Sequence, residues 1–480
     1  MIRIATAVAL SVLVGLAAVP SRALNSRPSD GEILEEALIH GQGFDNLQHL
    51  TDAIGARLTG SDNLERAAAF AIERFKAYGL SNVHREEWRL PSTWERGRLA
   101  VTVVEPAARS LVAASMGWNL PTSPGGITGD VINIAVGTEK QLAALGPATH
   151  GKIGLLDLSG GGTEEFFNGF RSFPKRVAEA GLIAVVAPSS KTDRLCDTGW
   201  ALGAEPVKTP FLSLAREDSQ TINRLMAKGP VKLHIEMEDR IGPERSVPNI
   251  IADLPGTTKP DEYVILGGHL DSWDLATGAT DDGAGAMAVL EAARTLAALG
   301  LKPERTIRFI MFTGEEQGFF GSLAYAKQHE SELGKIQAVF VMDTGAGRAR
   351  GVNLQGRKDL TEKAAEMLGP MLISLGLTDN RSDRAFVGCD NVPFTIRGVP
   401  AFTIEQDPKD YGTIHHAISD TLDKVKPEDL NFDAAVMAIL ATRVADSPKR
   451  LAPRLSSEQT AKMLEEAKLD GQLKAFGLLP

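Results

Sequence analysis

Four short apolar runs in the second half of the chain each lead into an acid or a histidine. They are residues 263–267, 306–313, 338–342 and 401–404. Their length and branched or aromatic content suit buried strands. Residues 283–299 lie between the first two and read as a strong helix. Strands alternating with helices predict an α/β fold, with a mostly parallel central sheet flanked by helices. That arrangement fixes where chemistry can sit, because ligands bind beyond the carboxyl ends of parallel strands. The first run ends just before His269. The second runs into Glu315 and Glu316, the third into Asp343, and the fourth through a loop to His415 and His416. Asp281 stands at the start of the helix.

Two imidazoles and three carboxylates at one sheet edge suit zinc. The carboxylates would repel one another unless cations lay between them. Two divalent ions about 3.5–4 Å apart meet that need and use a bridging carboxylate. The metal set is therefore His269, Asp281, Glu316, Asp343 and His416, with Asp281 as the bridge. Asp271 follows His269 by two positions and is placed to accept from its other ring nitrogen. Glu315 adjoins a ligand, and neighbouring side chains on extended backbone point apart. It fits a general base that takes a proton from attacking water and hands it to the leaving amine. Each residue also has a plainer role. Asp281 fits a helix cap, and Glu315 with Glu316 fits an exposed turn. The remaining histidines, such as His40, His49, His84, His150, His234 and His329, read as surface or core residues.

The rest of the chain divides by pattern. Residues 1–23 read as an export signal: Arg3, an apolar run at 4–19, and small residues before a cut after Ala23. Residues 24–104 are mostly helical in period. Residues 105–245 become β-patterned, with Val231, Leu233, Ile235 and Met237 alternating with polar neighbours as in a half-buried strand. The loop Ser159-Gly160-Gly161-Gly162 lacks the lysine of a phosphate loop. Residues 246–448 carry the α/β pattern and the metal set. Residues 449–480 form a charged helical tail with a capping box at Ser456 and Gln459.

The 480 residues carry a formal net charge of -10, which argues against nucleic acid or an anionic membrane as partner. No later run spans a bilayer. The mature protein is expected to be periplasmic or extracellular. Cys196 and Cys389 read as two separate buried thiols, although export would permit a disulfide.

The motifs Gly267-Gly268-His269-Leu270-Asp271-Ser272-Trp273, Gly278-Ala279-Thr280-Asp281-Asp282-Gly283, Gly314-Glu315-Glu316-Gln317-Gly318 and His415-His416-Ala417-Ile418-Ser419-Asp420-Thr421 together resemble the M28 zinc peptidases. Gly55-Ala56-Arg57-Leu58-Thr59-Gly60-Ser61 and Trp94-Glu95-Arg96-Gly97 extend the similarity. The resemblance implies a zinc-exopeptidase fold with the β-rich segment as an inserted protease-associated domain over the cleft. It implies that His269 and Asp343 hold one zinc, that Glu316 and His416 hold the other, and that Asp281 bridges them. Glu315 would be the base, and His415 would face substrate and steady the oxyanion. A cis bond between Asp281 and Asp282 is implied, as is a substrate pocket around residues 387–394, and relatives are often homodimers. The expected activity is hydrolysis of dipeptides or short peptides, in the manner of a carboxypeptidase or dipeptidase. An aminopeptidase and a non-catalytic binding protein on the same fold stay open. A serine hydrolase lacks its Gly-x-Ser-x-Gly elbow.

Overall fold

The computed structural model describes residues 27–157, 169–199, 203–380 and 384–479. The export-signal segment and the loop Ser159-Gly160-Gly161-Gly162 lie outside the described residues. Among the described residues, no helix is long and apolar enough to cross a membrane.

A seven-stranded sheet carries the α/β half. Its strands run in the order Ser81–Leu90, Arg245–Leu254, Arg305–Phe312, Lys259–His269, Ile336–Val341, Ala401–Gln406, Ala349–Asn353. The four strands 305–312, 259–269, 336–341 and 401–406 are parallel to their neighbours within that set. The outer pairings are antiparallel, so the sheet is mixed rather than mostly parallel. The reason lies in exposure. The parallel strands are buried and mostly apolar toward their carboxyl ends, as in Val264–Leu266 and Phe309–Phe312, where helices cover both faces. Ser81–Leu90 instead carries His84, Arg85, Glu86, Glu87 and Arg89, and half of it faces water at the sheet edge. An edge strand of that composition gives no apolar run, and the helical period of residues 24–104 hides it.

One face of the sheet is covered by Ala284–Ala298 and Pro427–Ala445, which pack on each other. Both are buried almost all round and are correspondingly apolar. Asp30–His40 lies against this pair, and Asp62–Ala77 against Ala284–Ala298. The Ser61 hydroxyl accepts from the Leu64 N–H and starts the second of these N-terminal helices. On the other face, Ile265, Ile310, Phe312, Tyr325, Val341 and Phe394 form a separate core.

A second, eight-stranded sheet draws its strands from residues 99–237. Its interior holds Val103, Leu155, Val186, Leu212, Leu233 and Ile235. Lys232–Met237 alternates between half-buried and buried positions, with Leu233, Ile235 and Met237 inward. Between the two sheets, Thr93–Glu95 pairs with Arg240–Gly242. Arg96 fastens this junction. Its guanidinium donates to both Asp274 oxygens at 2.9 and 2.7 Å, to the Ser115 carbonyl at 2.5 Å and to Thr198 Oγ1 at 3.0 Å. Trp94 stacks on Trp118, and Trp118 meets the edge of Trp273. The smaller sheet is thereby held over the carboxyl ends of the larger one.

Cys196 and Cys389 are both free and buried. The tail helix Ser457–Glu466 has the capping box at Ser456 and Gln459.

Candidate metal centre

Each candidate side chain comes off the sheet at the same end. His269 closes the strand Lys259–His269. Glu315 and Glu316 follow Arg305–Phe312, and Asp343 follows Ile336–Val341. His415 and His416 follow the short helix Tyr411–Ile414, reached from the strand Ala401–Gln406. Asp281 lies in the turn Ala279–Gly283, directly before the buried helix Ala284–Ala298, and the Asp281–Asp282 bond is cis.

Asp281 presents its two oxygens to two different groups. Oδ1 lies 3.4 Å from His269 Nε2, which is itself 3.6 Å from Asp343 Oδ1. Oδ2 lies 3.2 Å from His416 Nε2 and 3.6 Å from His415 Nε2. Glu316 Oε2 approaches His416 Nε2 to 2.9 Å. Among the described residues, two triads have donor atoms all within 4.8 Å of one another: His269 with Asp281 and Asp343, and Asp281 with His415 and His416. Asp281 belongs to both. His415 therefore stands close enough to share in the second group, beside its expected place facing substrate. Its ring stacks on His416 with centroids 3.7 Å apart.

The donor set fits a metal. His269 Nε2, Asp281 Oδ2 and Glu316 Oε1 are buried and have no hydrogen-bond partner. Buried polar atoms ordinarily find one, and three converging orphans of ligand type mark a place for cations.

The surroundings hold these atoms in position. The Asp420 carboxylate accepts from the Thr280 N–H at 2.7 Å, the Thr280 hydroxyl at 2.8 Å and the Asp281 N–H at 3.2 Å. Asp282 accepts from the His269 N–H at 3.0 Å and the Gly285 N–H at 3.0 Å. His269 Nδ1 lies 3.0 Å from the Asp271 backbone oxygen and 3.6 Å from its carboxylate. The expected carboxylate contact is thus mainly a carbonyl contact. The carboxylate instead accepts from the Thr59 hydroxyl at 2.6 Å. Arg57 is fully buried, and its guanidinium donates to the carbonyls of Leu270 at 2.7 Å, Thr277 at 2.6 Å and Gly278 at 2.8 Å. It staples the loop after His269 to the turn before Asp281. Burial lowers its pKa to about 10 against the pull of Asp420 and Asp271. Arg57, Thr59 and Asp420 lie in the sequence motifs above, but nothing in their spacing tells what they hold.

Crowded carboxylates shape the electrostatics. Burial raises Glu315 well above the usual range, with Asp343, Asp390 and Glu316 adding to the rise. Burial and the charge on Asp281 lift Glu316 to about 7 against the attraction of His416. Burial would also raise Asp281, yet His269, His415 and His416 hold it well below the carboxylate range. Burial and the neighbouring His416 lower His415 to about 3.

A cavity of about 670 Å³ opens over this group. Asp281, Glu315, Glu316, Asp343, His415 and His416 form one wall. Met116, Ala187, Pro188, Lys191 and Phe211 from the smaller sheet face them, and Phe319, Phe386 and Phe476 close an apolar end. Of the expected pocket segment only Gly388 lines the cavity, next to Phe386, whereas Cys389 is buried behind it and donates to the Asp343 carbonyl at 3.4 Å.

Residues 249–441 match the model of Peptidase family M28. Carboxypeptidase Q from Mus musculus is 31% identical over 418 residues, covering 85% of this chain and 87% of the relative. A crystal structure of a peptidase M28 precursor from Shewanella amazonensis SB2B superposes with a TM-score of 0.80 at 29% identity, covering 89% of this chain and 98% of that one. The zinc aminopeptidase BSAP from Bacillus subtilis gives a TM-score of 0.65 at 19% identity, covering 87% and 98%, and shares the fold.

Proposed function

The chain belongs to peptidase family M28, and from that premise we propose that it is a two-zinc exopeptidase acting on dipeptides or short peptides. The observation that carries the proposal is the divided face of Asp281, with one oxygen toward His269 and Asp343 and the other toward His416. A carboxylate so placed suits a bridge between two cations. His269 and Asp343 would hold one zinc, and Glu316 and His416 the other. Bound zinc supplies Lewis-acid polarisation of the scissile carbonyl and lowers the pKa of water.

The chain's own residues do the rest. Glu315 lines the cavity beside this group and takes the proton from attacking water, then gives it to the leaving amine. Burial raises its pKa, which favours keeping the proton it takes from water until the amine leaves. His415, neutral through its lowered pKa, donates from its ring N–H to the developing oxyanion. The smaller sheet acts as a protease-associated cover that limits the cavity to short substrates. Its volume of about 670 Å³ is in the range of pockets that enclose small ligands. The signal-like pattern of residues 1–23 supports export of this activity.

Glu315→Ala tests the assignment. Dipeptide turnover should fall by about 10²–10⁴-fold or more, while metal analysis finds the zinc content unchanged. Full activity in that variant would refute Glu315 as the base.

A further inference from the structure

Lys191 is the one lysine or arginine among the described residues that line the cavity. It comes from the smaller sheet, three residues after the strand Ala184–Pro188, and is only 4% exposed. Its ammonium donates to the Gly412 carbonyl at 2.8 Å. An ammonium carries three donors, and among the described residues Lys191 Nζ has no other bond and no ion pair. Asp197, the acid on its own loop that attracts it, is already engaged. Asp197 accepts from the Ser190 hydroxyl at 2.7 Å, the Ser190 N–H at 3.1 Å and the Ser213 hydroxyl at 2.6 Å.

A buried charge without a counter-ion is costly. Burial accordingly lowers the pKa of this lysine, against the attraction of Asp197 and Asp281. An anion entering the cavity would remove that cost. Among the described residues, every other ionisable side chain of the lining is an acid, a histidine or a tyrosine. The acids at the metal wall are there to hold cations and protons, so Lys191 is the side chain left to pair with an anionic group. In a peptide that takes part in hydrolysis at the opposite wall, the anion available at short range is the terminal carboxylate.

We propose that Lys191 binds the C-terminal carboxylate of the substrate and so sets the enzyme's preference for short peptides cut next to a free carboxyl end. The assignment rests on the exopeptidase function above and adds its polarity. The Gly412 carbonyl orients the ammonium, and the two remaining N–H donors meet the carboxylate. A peptide with a blocked carboxyl end leaves the lysine unpaired, which is how a polar site rejects an analogue lacking the matching group.

The test uses the zinc-loaded full chain with Phe-Leu and with Phe-Leu amide. The wild-type protein should favour the acid by about tenfold or more in kcat/KM. Lys191→Met should raise KM for the acid by a similar factor with kcat little changed, and so level the two substrates; Lys191→Arg should keep the preference. Equal efficiency of the wild type on acid and amide overturns the assignment whatever the variants do. So does a Lys191→Met variant that folds and loses both activities in parallel, which would make the lysine a latch to Gly412 only. Hydrolysis of neither peptide by the wild type would overturn the exopeptidase function itself, and this assignment with it.

Discussion

The larger sheet gives the cavity a wall of Asp281, Glu315, Glu316, Asp343, His415 and His416, while the smaller sheet gives it Met116, Ala187, Phe211 and, as the one lysine or arginine among the described lining residues, Lys191. The first wall is fixed from behind. Arg57, Asp282 and Asp420 tie its loops together with bonds of 2.6 to 3.2 Å. The second wall meets the first through polar contacts that include Lys191, the Thr198 and Gly203 N–H groups and the Arg96 junction. The difference teaches a division of labour. Charges that must meet cations need atoms held to a fraction of an ångström. Surfaces that select a side chain need only shape and one well-placed charge.

The comparison is broken most directly at the support of the first wall. Arg57→Met leaves the carbonyls of Leu270 and Thr277 without their donor inside the protein, and leaves Gly278 with only the Gly283 N–H at 3.1 Å. Each such buried acceptor costs about 1–3 kcal/mol. The variant should melt earlier, and its zinc affinity should fall by about 10–100-fold. Calorimetric melting and zinc competition measure the two effects. An unchanged zinc affinity would mean that the wall does not depend on the staple.

The second wall should respond more gently and selectively. Phe476 stacks on Phe319 with centroids 5.5 Å apart at the apolar end of the cavity. Phe476→Ala should raise KM for dipeptides with bulky apolar side chains by roughly three- to tenfold, and leave Ala-Ala nearly unaffected. Equal losses on both substrates would show that the tail residue supports the fold and not the choice of side chain.

The same contrast explains what could be read from the sequence. Buried strands announce themselves, since residues such as Val264, Phe309 and Phe340 must be apolar on both faces of a covered sheet. Strand ends then locate His269, Asp343 and the Glu315-Glu316 pair without any contact being known. Ser81–Leu90 escaped because an edge strand half in water keeps its charges. The antiparallel outer pairings escaped with it. Arg57, Asp420 and Lys191 are polar residues of types that are usually solvated. Their burial depends on carbonyls, amides and a cavity supplied by segments more than 100 positions away, as Arg57 shows by reaching Leu270 and Gly278. No local pattern encodes that. Likewise, spacing alone cannot tell that His269 Nδ1 faces the Asp271 carbonyl more closely than its carboxylate.

The central claim is that one carboxylate joins two cation positions. Zinc titrated into metal-free protein, followed by calorimetry and elemental analysis, tests it most directly. The wild type should take up two equivalents per chain, and Asp281→Ala should lose both together. Saturation of the wild type at one equivalent, or an Asp281→Ala chain that still holds a full pair, would contradict the account.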